Sequence, residues 1–168
     1  EIADERGLDI EFMRYDVAEP LPEDLIGAFD LFSSEPLETV SGLKAFISRG
    51  VSCLKDGGVG YFGLTTIEAS PRKWLLVQRM LSKMNCVVTD IIQGFSKYPT
   101  VYGNVNYEKF VARLKFPVRE NPGIDWYKSA LFRFKILGKP KPVVDWNKRI
   151  RLKYVDPEEL THPIFYKK

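Results

Sequence analysis

The sequence predicts an α/β fold that forms half of a doubly wound sheet. Short apolar runs alternate with helical repeats in the order strand, strand, helix, strand, helix, strand, strand. Apolar residues recur at helical spacing after Thr39 and again after Ser70. With 168 residues, of which 45% are hydrophobic, the chain is long enough to bury a core of its own.

The first elements are short. Residues 1–7 are predicted to end a helix that stops at Gly7, because glycine commonly follows the last helical turn. Residues 10–13 are predicted to form a strand that closes at Asp16. A buried strand is predicted at residues 30–33.

The most informative stretch is residues 28–38, an apolar run that stops at Ser34-Glu35-Pro36. Ligands of open α/β sheets bind just beyond the carboxyl ends of the strands. Glu35 and Glu38 are therefore predicted to lie where chemistry takes place.

Two helices follow this stretch. The first is predicted from Thr39 to Asp56-Gly57-Gly58 and leads into a strand at residues 59–64. The second has Ser70 as its N-cap and Pro71 in the first helical position, which suits proline.

The last strands are predicted at residues 86–92 and 129–137, the second as an edge strand because its residues alternate in character. The long loop between them suggests a functional role. We divide the chain into a partial domain at residues 1–138 and a basic C-terminal arm or edge strand at residues 139–168. For the arm, a solvated charged face is favoured over a phosphate site.

Composition excludes several classes of protein. The net charge of +3 comes from interspersed charges of both signs, so nucleic-acid binding is not expected. No apolar run is long enough to span a membrane, and Cys53 and Cys86 fit no zinc or redox motif, so we expect reduced core thiols and a cytoplasmic protein. His162 is the only histidine, and no metal set can be assembled around it.

Several motifs resemble, in the same order, the branched-chain polyamine synthases of archaea and thermophilic bacteria. They are Phe29-Asp30-Leu31-Phe32-Ser33-Ser34-Glu35-Pro36-Leu37-Glu38-Thr39, Phe46-Ile47-Ser48-Arg49-Gly50, Gly60-Tyr61-Phe62-Gly63-Leu64-Thr65 with Glu68-Ala69-Ser70 and Lys73-Trp74, Thr89-Asp90-Ile91-Ile92, and Trp126-Tyr127-Lys128-Ser129. The resemblance covers roughly residues 10–137 and does not extend past residue 138. It implies a methyltransferase-like Rossmann sheet with an antiparallel last strand.

The resemblance implies transfer of aminopropyl groups from decarboxylated S-adenosylmethionine to the central nitrogen of spermidine, without a metal. The family also has an N-terminal winged-helix domain and a Gly-Asp-Asp-Asp motif on its first strand, and this sequence contains neither. We therefore expect the first strands and the Gly-rich turn to be missing from a truncated chain. Such a chain would be inactive alone and would need the missing N-terminal half of the same protein as its partner.

The sequence departs from the family at two motifs. Family members usually read Thr-Asp-Pro-Pro-Glu at residues 34–38 and Phe-Asn-x-Tyr-x-Asn-Trp at residues 95–101. The first change replaces Asp with Glu35, which keeps the charge and moves it by one methylene. The acceptor polyamine, the number of transfers and a homo-oligomeric state stay open.

The implied reaction needs a neutral amine placed in line with the carbon beside a sulfonium, so positioning should dominate the rate. A carboxylate that accepts the amine proton would add roughly 10²–10⁴. Glu35, at a strand end, is the first catalytic candidate, and Glu68, which matches the family, is the second.

A polycationic substrate needs clustered carboxylates and aromatic faces. The substrate-binding candidates with these properties are Glu38, Asp90, Tyr98, Trp126 and Tyr127. The donor-binding candidates at strand ends are Asp16, Ser34 and Pro36. Glu38 is equally suited to a first helical turn and Asp16 to a loop cap, and core positions are favoured for the aromatic residues Tyr61, Phe62 and Trp74.

Two other functions stay open. An S-adenosylmethionine-dependent amino-group methyltransferase would use residues 34–37 as a variant of an Asn/Asp-Pro-Pro-aromatic motif, although the aromatic residue is absent. A non-catalytic module that binds a partner chain is the third reading.

Overall fold

A computed structural model describes residues 2–66, 68–98, 115 and 127–156. Its elements are α1 (Ile2–Glu5), a short 3₁₀ turn (Glu23–Leu25), β1 (Phe29–Ser34), α2 (Val40–Cys53), β2 (Leu54–Thr65), α3 (Pro71–Lys83), β3 (Cys86–Tyr98) and β4 (Tyr127–Ile136). The strands form one sheet in the order β1-β2-β4-β3, in which β1 and β2 are parallel and β4 is antiparallel to both of its neighbours. The predicted α/β class and antiparallel last strand are confirmed.

Helices α2 and α3 contact each other and enclose one hydrophobic core against the sheet. Phe62 of β2 stacks on Phe132 of β4 with ring centroids 4.8 Å apart, and Phe134 lies beside them. Gly60 makes room for this cluster, because a Cβ there would lie 2.0 Å from the Phe134 ring. None of the helices described is long and apolar enough to cross a membrane.

Both helices begin at the predicted caps. The Thr39 side chain accepts a hydrogen bond from Gly42 N (3.1 Å), and the Ser70 side chain accepts one from Lys73 N (3.4 Å). The predicted end of α2 is wrong, because the helix stops at Cys53 and β2 begins at once with Leu54.

The predicted strand at residues 10–13 is wrong. The segment has no strand geometry, and Ile10 and Phe12 are 63% and 88% exposed. A lone extended segment gains no ladder hydrogen bonds, and the only described strand that pairs with β1 is β2. The apolar residues at 10–13 therefore have no sheet to join in the described structure.

The predicted edge position of β4 is also wrong, because β4 lies between β2 and β3. Its alternation arises because Phe132 and Phe134 face the core while Arg133 and Lys135 face away from it. Alternation of apolar and polar residues along a strand indicates that one face of the sheet is buried and the other is exposed. It does not indicate whether the strand has one or two neighbouring strands. The outer strand is β3, which continues beyond the predicted end to Tyr98 through an irregular register.

The described part of the C-terminal arm, residues 139–156, contains no helix or strand and packs back against α2. Arg49 of α2 is 3% exposed and donates to the carbonyl oxygens of Asp145, Trp146 and Lys148 at 2.5–2.9 Å. These partly buried hydrogen bonds thus hold the arm against α2. The division of the chain at residue 138 stays a prediction.

Candidate functional site

Three carboxylates gather at the carboxyl ends of the parallel strands β1 and β2. Glu35 and Glu38 follow β1, and Glu68 follows β2 after Thr65. Ser34 pairs with Phe62, so both strands end at the same edge of the sheet. We call Glu35, Glu38 and Glu68 the acidic edge.

Glu38 is the most enclosed of the three, at 7% exposure. Its two carboxylate oxygens accept hydrogen bonds from Thr65 N and Thr65 Oγ1, each at 2.7 Å, and Thr65 Oγ1 in turn accepts one from Glu68 N at 3.0 Å. Burial raises the pKa of Glu38 to about 7, the bonds from Thr65 oppose that rise, and the charges of Glu68 and Glu35 add to it. Glu38 therefore changes charge near neutral pH.

Glu35 is exposed, and its carboxylate lies over Gly63 of β2. A Cβ at Gly63 would be 2.0 Å from Glu35 Oε2, so the glycine provides the space that the carboxylate occupies. The pKa of Tyr98 is raised, first by burial and also by its contact with Glu35, while a hydrogen bond with Ser129 lowers it. Glu35 thus combines access to solvent with a defined place above β2.

Two tyrosines extend the acidic edge across the sheet. The Tyr127 hydroxyl donates to Glu68 Oε1, and the rings of Tyr127 and Tyr98 meet edge to face with centroids 5.0 Å apart. They are register partners at the ends of β4 and β3. Glu35, Glu38, Glu68, Tyr98 and Tyr127 are therefore brought together.

Other candidates lie elsewhere. Asp90 is in the middle of β3, where it pairs with Arg133 at 3.3 Å on the sheet face opposite the core. It is not at a strand end because β3 continues to Tyr98. Asp16 is exposed and accepts a hydrogen bond from Ala18 N at 2.9 Å, which is the loop-cap geometry.

Two of the remaining candidates flank Glu35 in the sequence, and the third lies outside the residues that the structure describes. Ser34 is the last residue of β1 and is half-buried, and Pro36 is buried directly after Glu35. Trp126 lies outside the described residues. In the part of the chain that the structure describes, no group of acidic, histidine and cysteine side chains is arranged to hold a metal.

Lys73 was noted only within a matched motif, and neither Lys73 nor Asp156 was predicted to belong to the site. Lys73 is 2% exposed, and its ammonium donates to the carbonyl oxygens of Glu38 (2.9 Å) and Glu68 (3.1 Å) and lies 3.1 Å from Asp156 Oδ2. Lys73 lies four residues before the buried Val77 of α3, on the same helical face, and that spacing was the available signal. Asp156 had no comparable signal, because it belongs to an irregular segment.

Glu38→Gln is expected to change how stability depends on pH. The pKa of Glu38 is about 7 in the folded protein and 4.5 in the unfolded chain. The contribution of Glu38 to folding stability is therefore fully present below pH 4.5 and is lost as pH rises through 7. Glutamine does not ionise, so the free energy of unfolding of the variant should rise relative to that of wild type by up to about 3 kcal/mol between pH 4.5 and pH 7. Urea unfolding at about pH 5 and about pH 8 measures this, and parallel pH dependences in the two proteins would contradict it.

Comparison with known proteins shows the family of the chain. The sequence model of the "Branched-chain polyamine synthase A C-terminal domain" matches residues 1–161, so the similarity continues past residue 138, where we expected none. The N(4)-bis(aminopropyl)spermidine synthase of Thermococcus kodakarensis is 40% identical over 146 residues, which cover 85% of this chain and 41% of the relative. That of Thermus thermophilus is 41% identical over 133 residues, covering 78% and 38%.

A solved structure shows the same architecture. The branched-chain polyamine synthase from Thermus thermophilus, in complex with N4-aminopropylspermidine and 5'-methylthioadenosine, superposes with a TM-score of 0.79 and 34% sequence identity. The match covers 96% of this chain and 45% of that one, so the chain spans less than half the length of these relatives. The chain therefore belongs to the branched-chain polyamine synthase family, and its sheet is the C-terminal part of a methyltransferase-like Rossmann fold.

Proposed function

We propose that this chain supplies the acceptor side of an enzyme that transfers aminopropyl groups from decarboxylated S-adenosylmethionine to the central nitrogen of spermidine. The observation that carries the proposal is the acidic edge, with Tyr98 and Tyr127 beside it. The relatives are named for the product of this reaction, and the solved neighbour holds an aminopropylated spermidine and methylthioadenosine.

The acidic edge suits a polycation for electrostatic reasons. Three carboxylates at one sheet edge repel each other, and an amine cation placed among them removes that repulsion. The faces of Tyr98 and Tyr127 can add about 0.5–2 kcal/mol for each ammonium group that they contact. The net charge of +3 does not oppose this, because a local field in a cleft can differ in sign from the whole chain.

The chemistry follows from the neutral central nitrogen. Its lone pair attacks the carbon beside the sulfonium, an N–C bond forms, the C–S bond breaks, and methylthioadenosine leaves. The first transfer leaves a proton on nitrogen, and a carboxylate beside that nitrogen speeds the reaction by accepting the proton. We assign that role to the exposed Glu35, and we assign charge holding to Glu68, whose carboxylate is fixed by Tyr127.

The donor is a co-substrate, and we propose that Ser34, Pro36 and Asp16 border it. The chain covers 41% of the Thermococcus kodakarensis relative, so we propose that an N-terminal half of the same protein supplies the other donor contacts. On this proposal the chain alone is inactive, and the longer protein works in the cytoplasm.

Product analysis tests the proposed function. The full-length protein that contains this chain, incubated with decarboxylated S-adenosylmethionine and spermidine, is expected to release methylthioadenosine and form N4-aminopropylated spermidine. A parallel reaction with S-adenosylmethionine is the control and should give no methylated amine. S-adenosylhomocysteine together with a methylated product by mass spectrometry would replace this proposal with the methyltransferase reading.

A further inference from the structure

We propose that Lys73 and Asp156 are positioning residues that fix the spacing of the acidic edge and couple it to the C-terminal arm. The inference rests on the proposed function, since it assigns a role in binding the polyamine acceptor. Neither residue needs to touch the acceptor, because each acts through the backbone of other residues.

Lys73 joins the two loops that carry the acidic edge. Its single ammonium group bonds to the carbonyl oxygen of Glu38, after β1, and to that of Glu68, after β2. Burial is the main cause of the raised pKa of Glu38, and the charge of Glu68 adds to it, so the two carboxylates are close enough to repel each other when both are ionised. A cation held between their backbones opposes the separation of the two loops and so sets the distance between the two carboxylates.

Asp156 makes this arrangement possible. A buried ammonium is costly without a counter-ion, and Asp156, itself 7% exposed, supplies one at 3.1 Å. The same Oδ2 atom accepts a hydrogen bond of 2.6 Å from Val40 N, in the first turn of α2, where backbone N–H groups lack helical partners. Asp156 therefore ties α3, the start of α2 and the arm at one point.

Further hydrogen bonds attach the arm beside this point. The Thr39 hydroxyl donates to the carbonyl oxygen of Lys153 (2.7 Å), and Lys153 N donates to Ser41 Oγ (2.7 Å). Thr39 directly follows Glu38, so a displacement of the arm is transmitted to the acidic edge through one residue. The arm is thereby part of what shapes the acceptor site.

Asp156→Asn separates two roles of this side chain, the negative charge beside Lys73 and the hydrogen bond to the first turn of α2. Asparagine can still accept a hydrogen bond from Val40 N but removes the negative charge that lies 3.1 Å from the Lys73 ammonium, whereas Asp156→Glu keeps a charge there. In the full-length protein, Asp156→Asn is expected to raise the acceptor KM about tenfold and to weaken spermidine binding equally, with methylthioadenosine affinity unchanged. Asp156→Glu should recover most of the loss. Asp145→Asn, an exposed change in the same arm, should match wild type.

A purely structural role would give a different result. Asp156→Asn would then lower Tm and the active fraction while leaving acceptor KM and spermidine affinity at wild-type values, and that result overturns the proposal. If Asp156→Asn does not fold, Ser41→Ala removes one attachment of the arm without affecting a buried charge. It should raise acceptor KM about twofold to threefold, and an unchanged KM would overturn the coupling.

Calorimetric titration with spermidine does not depend on turnover, so it separates this inference from the proposed function. Weaker spermidine binding by Asp156→Asn in a protein that releases no methylthioadenosine would support the positioning role and contradict aminopropyl transfer. Normal aminopropyl transfer by the wild-type protein, with unchanged spermidine binding by Asp156→Asn, would support the proposed function and contradict the positioning role.

Discussion

Glu35→Gln is expected to slow transfer of the first aminopropyl group by about 100-fold or more, because the amide cannot accept the proton that leaves the central nitrogen. The side chain is exposed, so the free energy of unfolding should change by less than about 0.5 kcal/mol. Single-turnover product formation from spermidine by the full-length protein measures the rate, and thermal unfolding confirms that the variant is folded.

Glu68→Gln is the matched control for this prediction, because it removes a charge from the same edge. Its carboxylate accepts from Tyr127, so we expect it to hold the acceptor and not to receive the proton. The acceptor's charge is present in the ground state and the transition state alike, so this variant should mainly raise acceptor KM. A larger fall in the first-transfer rate for Glu68→Gln than for Glu35→Gln would exchange the two roles.

Gly63→Ala is expected to reduce the first-transfer rate by about 10²-fold without loss of stability, since a misplacement of about 1 Å can have an effect of that size. The new Cβ would lie 2.0 Å from Glu35 Oε2, so the carboxylate must move. The group that moves is the end of a flexible exposed side chain, and β2 itself need not shift. Single-turnover rates and Tm of the same preparation measure both effects.

Gly60→Ala is the control for Gly63→Ala, because it makes the same change three residues earlier in β2. Its Cβ would lie 2.0 Å from the ring of the buried Phe134, which cannot leave the core. We expect a loss of about 1–3 kcal/mol in stability and a nearly normal rate for the molecules that stay folded. A wild-type rate in Gly63→Ala would show that the position of Glu35 does not govern the reaction.

Local signals predicted the parts of the fold and site that depend on neighbouring residues. Thr39 and Ser70 cap helices because their side chains bond to backbone groups three residues on, and sequence records that spacing directly. The end of β1 was also predicted from a local signal, because the apolar run stops at Ser34. Parallel pairing with β2 then brought Glu35 and Glu38 to Glu68.

Features that depend on distant pairing could not be predicted. The interior place of β4 is fixed by its partners β2 and β3, and alternation along the strand does not report them. Asp90 was expected at a strand end because the apolar run stops at Ile92, but pairing with β4 carries β3 on to Tyr98. The contact between Asp156 and Lys73 joins an irregular arm to a helix, so no periodicity marks it.

The central claim is that Glu35 accepts a proton from the acceptor's central nitrogen, and the second transfer tests it most directly. Attack by the tertiary amine of N4-aminopropylspermidine forms a quaternary ammonium, which has no proton to lose. In alkaline buffer, where that amine is neutral beforehand, Glu35→Gln should carry out a single turnover of the second transfer within about tenfold of the wild-type rate. An equal loss in both transfers would contradict the assignment of Glu35 as the base.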